Sequence, residues 1–235
     1  MDVKIQAKAY GTGAPVLGPL QFTLRDRAFA VLFGPSGCGK STLLNIIAGL
    51  DPAFDGAVSG VSGAVGYVFQ EPRLLPWLSV ADNLRVVLDD PAPAEHRIET
   101  LLREMELWED RGKFANRLSL GMARRVALAR ALVVEPSLLL MDEPFVSLDE
   151  PTAVRLRLLL RRVVDRLGLR CLFVTHNIHE AVQLADRILF IAGAPAGLVA
   201  DVPVTLPTDR RSGDDVANFV KTVLAQEPSV RPLLT

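Results

Sequence analysis

The 235-residue sequence predicts an α/β fold: a mostly parallel sheet with flanking helices, an antiparallel β edge, and a helical subdomain inserted at 71–135. Three observations predict it. Apolar runs at 28–33, 138–142 and 170–174 recur between helical patterns, as strands buried on both faces do. The first of these runs leads through a glycine-rich loop directly into a helical pattern at 43–48. Between 71 and 135 the strand pattern stops, and successive helical patterns replace it.

In chain order, Val3 to Tyr10 alternates like a half-buried strand, with Gln21 to Leu24 as its partner and the Gly- and Pro-rich stretch from Gly11 to Gly18 as the connection. The helix after the glycine-rich loop stops at Asp51-Pro52. Residues 56–64 are small and glycine-rich, and Ala64 to Phe69 reads as a short buried strand. Pro72 and Pro76 break the chain before helical patterns at about 79–88, 95–107 and 119–134. In the last of these, Val126, Ala127, Arg130 and Ala131 share one face. A strand at 138–142 and a helix at 151–167 follow, the helix with Leu156, Leu160, Val163 and Leu167 inward. Then come a strand at 170–174, a helix at 178–185, a strand at 188–191 and a last helix at 212–226, with Val216, Phe219, Val220 and Val223 inward. The whole span 1–235 reads as a single domain without internal repeats.

Composition narrows the function classes. Hydrophobic residues at 49% and charged residues at 23% describe an ordinary globular protein. A net charge of −1 excludes nucleic-acid binding driven by bulk electrostatics. Cys38 and Cys171 lie far apart, without metal-ligand spacing, and fit a reducing compartment. The N-terminus carries no basic-then-apolar signal, and no run of about 18 uncharged apolar residues offers a membrane span. The apolar stretch from Leu156 to Val174 is interrupted by five arginines and an aspartate.

The chemistry begins at Gly34-Pro35-Ser36-Gly37-Cys38-Gly39-Lys40-Ser41-Thr42, a phosphate cradle between strand and helix. Its backbone N–H groups and the helix N-terminus suit phosphate groups, Lys40 is expected to reach the β- and γ-phosphates, and the Ser41 hydroxyl to bind Mg²⁺. Cys38 fits there by its small size and has no assigned chemistry. Asp142 and Glu143 end a buried strand, at the sheet edge where doubly wound folds bind ligands. Two solvated acids before Pro144 are the bland alternative. Beside a phosphate loop, Asp142 is expected on the Mg²⁺ hydration shell and Glu143 as general base for the attacking water. The fold class is therefore a phosphate-loop NTPase core.

Leu118-Ser119-Leu120-Gly121-Met122 followed by Arg125-Val126-Ala127-Leu128-Ala129-Arg130-Ala131 makes the chain resemble the ATP-binding cassette family, specifically the nucleotide-binding subunits of importers. The resemblance covers nearly the whole chain. It implies that Ser119 and the Gly121 N–H meet the γ-phosphate on an opposite subunit, so that two chains sandwich two ATP molecules. The third signature position, usually glycine, is Leu120 here. The resemblance further implies that Gln70 reaches Mg²⁺ or the attacking water, that His176 contacts the γ-phosphate, and that Ser147-Leu148-Asp149 is the loop through which the two sites sense each other. Tyr10, 30 residues before Lys40, either stacks on adenine or is a half-buried strand aromatic. His96 and His179 read as solvated, as do the arginines at 155, 157, 161, 162, 166 and 170.

The implied partners are a second copy or a homologous subunit, membrane permease subunits contacted through the loop at 71–78, and, indirectly, an extracytoplasmic solute-binding protein. No nucleic acid is expected. The place implied is the cytoplasmic face of the inner or plasma membrane, as a peripheral subunit. Within the 71–78 loop, Leu74, Leu75, Trp77 and Leu78 form the candidate contact, unless Trp77 belongs to the core. A soluble cassette ATPase of DNA repair or cluster assembly is the rival reading, but such proteins carry paired cassettes or a coiled-coil insertion. A small-molecule kinase has no use for the signature segment. The Pro-Trp-Leu loop, Met122 and Ala200 to Val204 resemble the nitrate, sulfonate and taurine importer branch, which implies a small anion or sulfonate-like solute.

Overall fold

Alternation at the N-terminus becomes an antiparallel sheet. The computed structural model describes residues 1–207, 211 and 213–234, in two units: Met1–Val61 with Gly168–Thr235, and Ser62–Leu167. In the first unit, β1 (Asp2–Ala7) buries Val3 and Ile5 and exposes Asp2, Lys4 and Gln6. It pairs with β2 (Leu20–Thr23), Val3 opposite Phe22 and Ile5 opposite Leu20. Strand β3 (Phe29–Phe33) is buried throughout and delivers the chain to helix α1 (Lys40–Ile47). A further strand, β4 (Asp55–Ser59), lies antiparallel on the other side of β1. The sequence shows no strand there because none of its five residues is buried, so no apolar alternation is needed. At Gly56, φ is 142° and an added Cβ would collide with the Lys4 carbonyl, so only glycine permits the close pairing.

The second unit opens with β5 (Val65–Val68), followed by α2 (Val80–Arg85), α3 (Glu95–Glu104) and α4 (Leu120–Leu132). Ser79 caps α2, accepting from the Asp82 N–H at 3.1 Å. Ile98, Leu101 and Leu102 give α3 one inward stripe. Helix α4 is buried over most of its circumference, from Arg124 through Leu132. Strand β6 (Leu138–Asp142) is buried at all five positions and runs parallel to β5, with Val68 opposite Met141. Helix α5 (Glu150–Leu167) turns Leu156, Leu160 and Val163 inward as expected. Three expectations on α5 fail. Leu167, at its last position, is 40% exposed. Arg157 is buried rather than solvated, its charge met by Glu150 at 2.6 Å. Arg161 is half-buried and paired with Asp165 at 2.9 Å.

The first unit resumes with β7 (Arg170–Thr175), α6 (Ile178–Leu184), β8 (Arg187–Gly193), β9 (Ala196–Pro203) and α7 (Gly213–Gln226). Strand β3 lies between β7 and β8, parallel to both, and β9 closes antiparallel on β8, which makes a mixed sheet. Its core is aromatic: the rings of Phe33 and Phe190 meet edge-to-face at 5.4 Å, and those of Phe29 and Phe173 lie 6.2 Å apart. Arg170 is half-buried and paired with Asp26, again unlike a solvated arginine. On α7, Val216 and Val223 are buried and Phe219 and Val220 half-buried; Ser212, the first residue of the expected helix, lies outside the described residues.

Candidate functional site

In the first unit, the apolar strand β3 ends at Phe33 and the chain turns through Gly34 to Gly39 into α1. Gly34 is required by contact: a Cβ there would run into the Ile191 carbonyl of β8. Gly39 is required by conformation, with φ of 98° at the N-cap of α1. No side chain caps α1 and no acid occupies its first turn, so the N–H groups of Lys40, Ser41 and Thr42 form a positive end that suits an anion. Lys40 is buried, its ammonium donating to the Gly34 and Pro35 carbonyls at 2.9 and 2.8 Å. Ser36, Gly37 and Ser41 are exposed, and Cys38, Gly39 and Thr42 half-buried.

Strand register brings His176 to the same edge. Phe33 on β3 pairs with Thr175 on β7, so Gly34 and His176 are the next residues on neighbouring parallel strands. Asn177 caps α6, accepting from the His179 and Glu180 N–H groups at 2.9 and 3.4 Å, which fixes the backbone just beyond His176. His96 and His179 are exposed. Tyr10 lies beyond the end of β1 and is 53% exposed, so it is not a half-buried strand aromatic.

The second unit carries the other residues. The register of β5 and β6 sets Gln70, just past the end of β5, at the same edge as Asp142, the last residue of β6, and Glu143, the next. A cavity of about 490 Å³ is lined there by Phe69, Gln70, Glu71, Arg73, Arg124, Asp142, Val146 and Ser147. Asp142 is buried. Burial, and then the charge of Asp142, push the Tyr67 hydroxyl far above its usual range, so the phenol stays neutral; its ring stacks on Phe69 at 4.1 Å. Arg73, Glu143 and Ser147 all hold positive φ, at 46°, 44° and 66°. Strained non-glycine backbone of this kind gathers at working sites.

The signature residues sit where α4 begins. Ser119 is its N-cap, the hydroxyl accepting from the Met122 N–H at 3.3 Å. Ser119, Leu120, Gly121 and Met122 share a cavity of about 540 Å³ with Ser147, Leu148 and Asp149, which unites two segments distant in sequence. Leu120 is 41% exposed on its wall. The Asp149 carboxylate accepts from the Thr152 N–H at 3.1 Å at the start of α5, and this bond holds it below the usual carboxylate range.

Two residues of α4 have contacts to which the sequence reading assigns no role. Arg124, buried, donates to the carbonyls of Gln70 and Val146. Arg130 donates to the carbonyls of Pro72 and Arg73 at 2.9 and 2.8 Å. Together they fasten the segment at 70–73 to the helix that starts at the signature. The only sequence signal is three arginines, Arg124, Arg125 and Arg130, within a largely apolar helix. Ahead of them, Asn83 is fully buried and clasps the loop, donating to the Leu75, Leu78 and Ser79 carbonyls and accepting from the Leu75 N–H. The loop so held leaves Trp77 68% exposed, with Leu74, Leu75 and Leu78 half-buried, so Trp77 is not core.

A family model described as ABC transporter matches residues 17–146. The chain is 41% identical to the aliphatic sulfonates import ATP-binding protein SsuB 2 of Pseudomonas syringae pv. tomato, over 94% of each chain. It is 44% identical to SsuB 1, of the same description, from Pseudomonas aeruginosa, over 90% of each. Its fold is similar to that of the ATP-binding cassette MJ0796, solved as a dimer in a post-hydrolysis state bound to ADP and Pi, with a TM-score of 0.75, 26% identity, and coverage of 88% of this chain and all of that one. Among the described residues no helix is long and apolar enough to cross a membrane.

Proposed function

Because the chain belongs to the ABC transporter family, we propose that it is the ATP-binding and ATP-hydrolysing subunit that energises an importer of organic sulfonates. The observation that carries this reading is the 41% identity, over 94% of both chains, with a relative named for aliphatic sulfonate import. Agreement over that span favours transport over a soluble cassette acting in DNA repair or cluster assembly.

The phosphate loop, Gly34 to Thr42, binds the β- and γ-phosphates through its N–H groups and Lys40. Tyr10 offers its exposed ring to adenine. Glu143 takes the proton of the attacking water, while Gln70 and His176 orient the water and the γ-phosphate. Ser41, Gln70 and Asp142 would supply hard oxygen donors of the kind that suit Mg²⁺. When bound, Mg²⁺ neutralises charge developing on the phosphates. Ser119 and Gly121 serve the γ-phosphate held by a second copy or a homologous subunit, and Asp149 fixes the loop through which the two sites respond to each other. The exposed Trp77 and its loop at 71–78 dock on the permease, with 71–135 moving as a helical subdomain. The solute-binding protein acts through the permease alone. The subunit is peripheral, at the cytoplasmic face.

The test is growth of a strain lacking this gene with an aliphatic sulfonate as sole sulfur source. Loss of growth, restored by the wild-type gene and not by Lys40→Ala, is expected. Normal growth on sulfonates combined with a defect on nitrate would overturn the solute assignment.

A further inference from the structure

Just past the N-terminal strand lies a buried charge that the reaction does not use. Lys8 is 2% exposed, and its backbone is pinned by exchange with Leu17, the Lys8 N–H donating to the Leu17 carbonyl at 3.0 Å. Its ammonium donates to Asp51 Oδ1 at 2.5 Å and to the Ala53 carbonyl at 2.8 Å, just beyond α1. The same nitrogen stands 4.4 Å from the centroid of the Tyr10 ring, within cation–π range. Asp51 uses its second oxygen, Oδ2, to accept from the Tyr10 hydroxyl at 3.0 Å. That hydroxyl also lies 3.4 Å from Thr42 Oγ1, on the last residue of the phosphate loop. One carboxylate thus bridges a lysine and a tyrosine, and the tyrosine reaches the helix that carries the phosphate-binding N–H groups.

We infer that Lys8 and Asp51 are positioning residues for the nucleotide base, holding the Tyr10 ring at a fixed distance and tilt from the phosphate loop and leaving one ring face open. This rests on the reading of Tyr10 as the base-stacking residue. An exposed tyrosine on a loop samples several rotamers, and ordering it when the base arrives weakens binding. Here the hydroxyl is tied at one end and a cation covers one face, both from within the protein. A base can then stack only on the face away from Lys8. The ammonium also draws π-density towards itself, so the open face is electron-poor and better matched to an electron-rich purine. Asp51 stays charged because the hydrogen bond from Lys8 holds its carboxyl below the usual range.

The experiment compares affinities for ATP and for inorganic tripolyphosphate, which has the phosphates without the base. The variants are Tyr10→Ala, Tyr10→Phe, Lys8→Met and the double variant Lys8→Met/Tyr10→Ala. Tyr10→Ala should weaken ATP binding about tenfold, as loss of one base–aromatic stack does, and leave tripolyphosphate binding unchanged. Lys8→Met should weaken ATP about threefold to tenfold with tripolyphosphate again unchanged, and should add nothing in the Tyr10→Ala background. Tyr10→Phe keeps the ring, removes the hydroxyl's ties to Asp51 and Thr42 on an exposed side chain, and should weaken ATP about threefold with tripolyphosphate unchanged, even if Lys8→Met fails to fold. Wild-type ATP affinity in both Lys8→Met and Tyr10→Phe, beside a weakened Tyr10→Ala, overturns the positioning role and leaves the stacking role standing. Wild-type ATP affinity in Tyr10→Ala overturns the stacking role itself. Equal losses for ATP and tripolyphosphate in Lys8→Met or Tyr10→Phe place the effect in the loop or the fold and also overturn the inference.

Discussion

Arg124→Ala removes the guanidinium that ties α4 to the carbonyls of Gln70 and Val146. A hydrogen bond from a charged donor is worth about 1.5–3 kcal/mol, and two are lost here, each leaving a carbonyl without its donor. Part of that is offset, because the buried cation is itself poorly satisfied: its Nε has no partner, and burial holds the group below its usual pKa. A net loss of about 3 kcal/mol follows. For a chain of this size it should lower the melting temperature by about 6–12 °C. Arg124→Lys keeps the charge, but a single ammonium lacks the planar fork that reaches both carbonyls, so it should recover about half of the loss. Because Gln70 is one of the two anchored residues, hydrolysis at saturating ATP should fall further in Arg124→Ala than in a variant of equal melting temperature altered elsewhere, such as Val164→Ala. Paired thermal melts and steady-state phosphate release decide it. A melting temperature within about 1 °C of wild type would refute the anchoring argument.

Lys40→Ala should weaken ATP binding itself by removing a charge-assisted phosphate contact, and fluorescent-nucleotide titration would expose an unchanged affinity. Ser119→Arg should leave one subunit able to bind ATP while blocking ATP-dependent dimerisation, because the cation would fill the cavity shared with Ser147 and Asp149; normal hydrolysis by the isolated variant would count against the signature role. Trp77→Asp should release the subunit from membranes and stop transport with little change in melting temperature, since the side chain is 68% exposed; retained membrane association would move the docking surface elsewhere.

The strands buried on both faces were legible because burial on both sides leaves an uninterrupted apolar run, as in β3, β6 and β7. Strands held by backbone pairing alone were not. β4 buries no residue, and β9 is half-buried over most of its length, so neither imposes a pattern on its side chains. The turn from β3 through Gly34 to Gly39 into α1, and the acids at the end of β6, were legible because glycine spacing and an apolar run ending in acids both show in the sequence. Arg124 and Arg130 were hidden because they act on backbone carbonyls, which every sequence supplies. Arg157 and Arg170 were misread for a related reason: the acids that let them be buried, Glu150 and Asp26, stand 7 and 144 residues away. Lys8 looked like the polar half of an alternating strand and is instead a buried cation whose partner arrives after the next helix.

The central claim, that this chain turns over ATP with Glu143 as the base, is tested most directly by Glu143→Gln. The substitution keeps size and hydrogen-bonding capacity and removes the proton acceptor. Steady-state phosphate release should fall to background while ATP affinity stays at the wild-type value, and the ATP-bound dimer should accumulate on gel filtration. Turnover within about threefold of wild type would contradict the assignment, since loss of a general base costs about a hundredfold or more.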